Sequence, residues 1–462
     1  MTFGLDLGYF DETIWKISQG KFPYSGVGCI WLLEDHFQPI LYLFGPLYRI
    51  WPDVKVLLIV QSLLMVLAAY PLYLTGKKIS RNNFFSFAVC FAYLFFIGTQ
   101  FSILNEFHQT TLAPFFIAWS FYFLTKKNFR LFLFYILILF FIKEDLSLLV
   151  ASVGMALFIN SKNKRMGIFL TISGISFFFL LLYVIMPKIS IMGRYSHLDF
   201  GAVGQTPIDI VFNIFKNPMK VITIFIDSPL KLHTLFISFY NFSFLPIFSG
   251  PFYLIILFED LLTRFIYYGP QITKWSLVNH HAVISAIILP LASIYGARFI
   301  YSKLKKKLSF NLIGSLLIFT TVTQMVIVHA PVFSILKKDF YMTAPWMLDN
   351  RAILAKVPDN ASVASQNSLL PHLTHRDSIY RIPFGSNSQY MVFDLHDGPN
   401  KYAPLNHQEM IDFVNNLLST KRYSIVYQKG EAILLKRNYK TDITKSKYWG
   451  DTRYCYYSFE ER

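Results

Sequence analysis

The chain has 462 residues, of which 54% are hydrophobic, 18% aromatic and only 15% charged, with a mean hydropathy of +0.42. That balance excludes an ordinary soluble enzyme, a disordered chain, a collagen-like repeat and a disulfide scaffold. Lys and Arg number 43 against 27 Asp and Glu, a net charge of +16, but the basic residues recur in short runs between apolar stretches. They therefore read as retention loops beside an anionic membrane face, and no nucleic-acid partner is expected.

From the start of the chain, residues 1–53 read as an extracytoplasmic loop with interfacial helices. MTFGLDLGYFDE is neither basic nor apolar, so no cleavable signal peptide is expected there. Membrane spans need about 20 apolar residues, because lipid offers no partner for backbone groups. The pattern predicts spans over 54–75, 84–104, 109–125, 167–187, 280–300 and 310–330. Shorter ones are predicted over 131–142 and 146–159, split by Lys143-Glu144-Asp145. The stretch 232–268, broken at Pro246 and at Gly250-Pro251, reads as a hairpin of two short membrane helices, after a long loop at 188–231. The bundle 54–330 is thus expected to hold about ten spans.

The basic loops 76–83, 126–130, 160–165 and 302–307 all fall on one side of this assignment, which the positive-inside rule makes cytoplasmic. The other side receives residues 1–53, the turn at 105–108, the Lys143-Glu144-Asp145 break and everything after about 331. An N-terminus on that side implies a transmembrane helix upstream of Met1; a short translocated tail is the alternative. From 331 the composition changes to short strands and turns. VPDNASVASQN, SIYRIP and YMVFDLHDG read as strands, DFVNNLLSTKR as an amphipathic helix, and YSIVYQKGEAILLKRN as a hairpin turning at Gly430. The expected fold is an α-helical polytopic membrane protein with a C-terminal extracytoplasmic α/β domain over 331–462.

Nucleotide-loop, HExxH and GxSxG signatures are absent from the sequence. Cys29, Cys90 and Cys455 have no CxxC spacing, which excludes a zinc ribbon. Cys29 and Cys455 both fall outside and could pair there, although their spacing gives no support. What stands out is the gathering of acids on the non-retained side: Asp6, Asp11, Glu12, Glu34, Asp35, Glu106, Glu144 and Asp145. Acids do not serve retention, so they are candidates for chemistry.

Asp11-Glu12, Gly20-Lys21-Phe22-Pro23-Tyr24 and Phe37-Gln38-Pro39-Ile40-Leu41 resemble the first extracytoplasmic loop of the C-type (GT-C) glycosyltransferases. Protein mannosyltransferases using dolichyl-phosphate mannose and the aminoarabinose transferase of lipid A are examples. Over nearly its whole length the chain also resembles a family of bacterial and archaeal multi-pass membrane proteins related to those enzymes. That likeness rests on Asp6-Leu7-Gly8-Tyr9-Phe10-Asp11, Asp35-His36-Phe37-Gln38-Pro39, Asn105-Glu106-Phe107-His108, Lys143-Glu144-Asp145 and Pro371-His372-Leu373-Thr374-His375-Arg376. It implies a GT-C-like helical bundle that takes a sugar from a polyprenyl-phosphate donor in the membrane lipid and gives it to a lipid, glycan or protein acceptor. The absent first span is the departure from the pattern.

Such transfer needs a base at the acceptor hydroxyl and cations or donors at the leaving phosphate. Asp11, Glu12 and Asp6 are the catalytic candidates, Asp11 foremost, since it precedes an amphipathic stretch at the interface. Asp35, His36, Glu106, His108, Lys143, Glu144 and Asp145 are the donor or phosphate-binding candidates, with Arg194 and Lys274 as further cations. Each has a plainer alternative. Asp11 and Asp6 can cap a helix, Glu106 and His108 can end two helices, and Glu144-Asp145 can cap 146–159. His280-His281 reads first as an interfacial pair, and His372, His375 and Arg376 as a structural turn. A divalent cation, Mg2+ or Mn2+, is left open, since Asp35-His36 alone is no metal site. A transporter or flippase, or a non-catalytic assembly protein, is the alternative function. Sugar, acceptor and oligomeric state are not legible.

Overall fold

The computed structural model describes residues 4–160, 163–190, 193, 195, 203–204, 206–267, 274–304, 307–385, 387–398 and 404–438. Arg194, Lys306 and Cys455 lie outside them. The chain is mostly helical and divides into two compact units. A helical unit holds 36–39 and 59–335, and an α/β unit holds 1–35, 40–58 and 336–462.

Among the described residues, four helices are by length and composition fit to cross a membrane: Lys55–Ser80, Lys164–Ile189, His280–Lys303 and Phe310–Ile327. The count among the described residues is up to six if each bent pair is one span, where the apolar pattern suggests ten or so with its shorter segments included. Breaks account for the difference. The apolar stretch 84–104 becomes Asn83–Phe95 and Ile97–Leu104, bent by 47°. Phe96 is extended there, and the Gln100 side chain donates to the freed Phe95 carbonyl at 2.9 Å. A side chain inserted into the helical ladder is a recognised cause of kinks. The 131–142 and 146–159 segments are short helices at Phe129–Phe141 and Leu146–Asn160.

The predicted hairpin appears as Pro229–Asn241, a 3-10 turn Leu245–Phe248 and Pro251–Phe265. Its corner is Gly250 at φ 86°, a conformation that suits glycine. The expected loop 188–231 instead contains helices Pro207–Lys216 and Pro218–Ile226. The first opens with a Thr206–Asp209 capping box and a proline at its first turn. Helices Leu146–Asn160 and Lys164–Leu180 pack closely through glycines. A Cβ on Gly154 would lie 2.4 Å from the Thr171 nitrogen, and one on Gly174 2.5 Å from the Ser147 carbonyl. Small residues of this kind let helix backbones approach in membranes.

The α/β unit contains a two-stranded ribbon, β1 (Tyr24–Ser25) and β2 (Ile30–Trp31). It also has a five-stranded sheet made of β3 (Val363–Ser365), β4 (Ile379–Arg381), β5 (Tyr390–Asp394), β6 (Tyr423–Lys429) and β7 (Ala432–Arg437). The order is β4-β3-β5-β7-β6, with parallel pairing about β3 and antiparallel pairing about β7. Each predicted strand run lies in this sheet, and Gly430 makes the hairpin turn at φ 57°. Strand alternation feeds two cores. Met391, Phe393, Ile433 and Leu435 meet Met410, Phe413, Val414 and Leu417 of helix His407–Ser419. On the other face, Val392, Ala432 and Leu434 meet Ile353, Leu370 and Leu373.

That second core also contains Val27. The N-terminal residues are therefore part of this unit. Gly4 N–H donates to the Asn367 carbonyl at 2.8 Å, and a Cβ on Gly26 would sit 2.0 Å from the Ile379 oxygen.

Candidate functional site

In the helical unit, a cavity of about 160 Å3 is lined by side chains that ordinary apolar helices would not carry inside. It starts from the Lys143-Glu144-Asp145 break. There the Lys143, Glu144 and Asp145 carbonyls accept the first three backbone N–H groups of helix Leu146–Asn160. The Glu144 carboxylate turns away from that helix. It takes His36 Nδ1 at 2.7 Å, the Phe37 N–H at 2.9 Å and the Tyr195 hydroxyl at 2.5 Å, and is 2% exposed. Burial alone would raise this carboxyl, but the His36 ring, Lys143 and the Tyr195 hydroxyl outweigh it and hold it well below the ordinary carboxylate range. Glu144 is thus the tie that presents His36 to the cavity.

Lys143 and Lys274 bring positive charge to the wall. Lys143 pairs with Asp145 at 3.1 Å, and Lys274 lies 3.7 Å from the centroid of the Tyr267 ring. Arg264 also lines it, but its donors are spent on structure. They go to the Lys274, Trp275 and Ser276 carbonyls and to Ser285, with Asp260 at 3.7 Å. Ser285 in turn donates to Asp260. Glu259, one residue before that pair, also faces the cavity, and its carboxylate takes no hydrogen bond or ion pair from the described residues.

His280 and His281 complete the wall, with His108 stacked on His280 at 3.5 Å between ring centroids. His108 is fixed by Gln61, which is fully buried. The Gln61 amide donates to the Ile103 and Glu106 carbonyls, and its oxygen accepts from the His108 N–H and the Thr111 hydroxyl. The 105–108 turn is therefore built around a glutamine from another helix, and Glu106 adopts φ 26° within it.

The structure thus brings together His36, Lys143, Glu144 and Asp145, with His108 one ring behind. Glu106 contributes its backbone to the Gln61 clamp, and Asp35 belongs to the α/β unit. Glu259, Asp260, Arg264, Gln61 and Tyr195 were missed. The run FEDLLTR inside an apolar stretch was the available signal, since three charges in one short membrane helix demand a polar surrounding.

Asp11, Glu12 and Asp6 lie in the α/β unit. Helix Tyr9–Ser18 carries Asp11 and Glu12 side by side and fully buried, and Asp6 lies in the π-helical turn Gly4–Gly8 before it. Both Glu12 oxygens are engaged. Oε1 accepts from Lys16 at 2.7 Å and the Gly26 N–H, and Oε2 accepts from Ser25 at 2.6 Å and the Val27 N–H. Glu12 therefore anchors the 25–27 turn. Asp11 accepts from the Tyr48 hydroxyl at 2.6 Å and from Thr374, and its oxygens lie 3.1 and 3.2 Å from His375 Nε2. Arg376 closes its own turn by donating to the Leu373, Pro358 and Ala361 carbonyls. Of the PHLTHR segment, then, Arg376 is structural, whereas Thr374 and His375 face Asp11.

Among the described residues, no group of three His, Cys, Asp or Glu is arranged to hold a metal ion. Apolar helices long enough for a bilayer, with buried charges gathered about one cavity, define a polytopic membrane protein. The chain belongs to the predicted membrane protein family DUF2079, whose model matches residues 1–434. No curated protein and no solved structure matches the chain.

Proposed function

We propose that this membrane protein is a glycosyltransferase of the C-type. It would take a sugar from a polyprenyl-phosphate donor and add it to a lipid, glycan or protein acceptor at the outer face of the cell membrane. The observation that supports this reading is the cavity of the helical unit, where cations and an uncommitted carboxylate share one wall. The lipid tail of such a donor stays in the bilayer, so its phosphate meets the protein at the membrane and needs cationic donors there. Lys143 and Lys274 fill that part, with His36 held toward the cavity by Glu144.

Glu259 is the proposed base. The acceptor hydroxyl oxygen bonds to the anomeric carbon while the anomeric carbon–phosphate oxygen bond breaks. The hydroxyl proton passes to the Glu259 carboxylate, and the bond's electron pair leaves with the polyprenyl phosphate. A neighbouring positive charge stabilises that leaving group as its charge develops. The test is transfer in proteoliposomes supplied with polyprenyl-phosphate sugars. Glu259→Gln should abolish it while the chain still inserts, and undiminished transfer would remove Glu259 from this part.

A transporter or flippase is the second reading, favoured by one observation. The two bent helix pairs, at 83–104 and 218–241, are the kind of broken helix from which transport sites are built. Translocation of a fluorescent polyprenyl-phosphate lipid that persists in Glu259→Gln would favour it over transfer.

A further inference from the structure

The α/β unit holds a second centre that the transfer chemistry above does not use. Asp11 is 1% exposed, whereas the His375 side chain is 29% exposed. A carboxylate only accepts, so the imidazole nitrogen facing Asp11 carries the hydrogen. In the neutral ring Nδ1 then keeps a lone pair that can accept a hydrogen bond. The ring is fixed on its other sides as well. Trp15 lies parallel to it at 5.8 Å, and Tyr48 is tilted against it at 6.0 Å. Burial first, and then the charge of Asp11, push the Tyr48 phenol far above its ordinary value, so it remains a donor to Asp11.

Aromatic surface adjoins this dyad. Lys21 sits 5.2 Å from the Trp15 ring and pairs with Asp377, which is well exposed. Phe22, the next residue, is 65% exposed and stacks on Trp31 at 5.4 Å. Aromatic faces are electronegative and pack well against the polarised C–H face of a pyranose. Asp11 lies against His375, and the nearby Lys55 and Lys21 are each paired with a carboxylate, Asp53 and Asp377, so neither lysine is left over for a phosphate and an uncharged polyhydroxy ligand fits better.

We propose that this is a sugar-binding site of the α/β unit. His375 Nδ1 accepts a hydroxyl hydrogen bond, Asp11 acts as its positioning residue, and the Phe22–Trp31 pair packs the ring of the sugar. The proposal deepens the transferase reading by making the acceptor a neutral glycan, and rests on it only in that respect.

The test uses the full chain in nanodiscs, with diethyl pyrocarbonate modification read at each histidine by mass spectrometry. Maltotriose and chitotriose are the probes, and exposed His329 is the control. His375 is expected to react. At a trisaccharide concentration about ten times Kd, at least one of the two should slow that reaction about tenfold and leave His329 unaffected. Phe22→Ala, a surface change, should remove the protection without altering the rate in free protein. Asp11→Asn should shift the pH profile of His375 modification, which a merely structural contact would not do. An unreactive His375, equal rates with and without both trisaccharides, or protection that survives Phe22→Ala would overturn the site. An unchanged profile in Asp11→Asn would overturn the positioning part. None of these results depends on sugar transfer, so the site and the donor cavity stand or fall separately.

Discussion

The Tyr48 hydroxyl donates a 2.6 Å hydrogen bond to Asp11, and both side chains are 1% exposed. A buried carboxylate that loses a donor keeps its desolvation cost. Tyr48→Phe is therefore expected to destabilise the α/β unit by about 1–3 kcal/mol, read as a lower melting temperature of the full chain in detergent. An unchanged melting temperature would mean that water replaces the hydroxyl there.

Glu12 has the opposite standing from the one its position beside Asp11 implies. With both oxygens engaged and Lys16 paired at 2.7 Å, Glu12→Ala leaves a buried ammonium without its counter-charge. The expected loss is about 3–5 kcal/mol of stability. Whatever chain remains folded should transfer sugar normally per molecule. A full-stability variant that lacks transfer would make Glu12 chemical after all.

Close approach sets a third expectation. Gly26→Ala would place a methyl 2.0 Å from the Ile379 oxygen, in backbone that cannot move aside cheaply. Overpacking of this sort costs about 1–3 kcal/mol. Limited proteolysis should then cut near residues 20–30 faster than in the parent chain; equal cutting would show that the turn has room.

The architecture of the α/β unit was largely legible in the sequence, and its membership was not. The strand runs at 363–365, 379–381 and 390–394 are short, largely apolar and set between turn residues, so local pattern sufficed. Nothing local says that Val27 packs with Val392, or that His375 meets Asp11, because those pairs are joined only by the folded chain. In the helical unit the Lys143-Glu144-Asp145 break was visible as charge inside apolar text. Glu259 and Arg264 escaped because a hairpin explains FEDLLTR nearly as well as a polar cavity does. Arg194 and Cys455 lie outside the described residues.

Acid should loosen the cavity through Glu144. Its carboxyl is held below the ordinary value of 4.5 in the folded chain by His36, Lys143 and Tyr195, against the effect of burial. The unfolded chain thus takes up the proton first. The stabilisation is complete above 4.5 and is lost as pH falls through the folded-state value. Melting curves from about pH 6 down to about pH 3 should fall more steeply for the parent chain than for Glu144→Gln. Parallel slopes would mean that another carboxyl carries the acid sensitivity.

Membrane sidedness can be read by cysteine accessibility in intact cells. Thr374 is buried against Asp11 and makes a poor reporter, so the label belongs at Asp377, whose side chain is 69% exposed. Asp377→Cys is expected to react with an impermeant reagent added outside, and Lys78→Cys to be shielded. The reverse pattern would invert the topology and place the α/β unit in the cytoplasm.

Donor kinetics in proteoliposomes test most directly whether the helical cavity transfers a sugar from a polyprenyl phosphate. Transfer by the parent chain, its loss in Glu259→Gln, and a raised donor KM in Lys143→Ala and Lys274→Ala are the predicted results. Glu259→Gln and both lysine variants transferring like the parent chain, or no transfer by the parent chain from any polyprenyl-phosphate sugar, would contradict it.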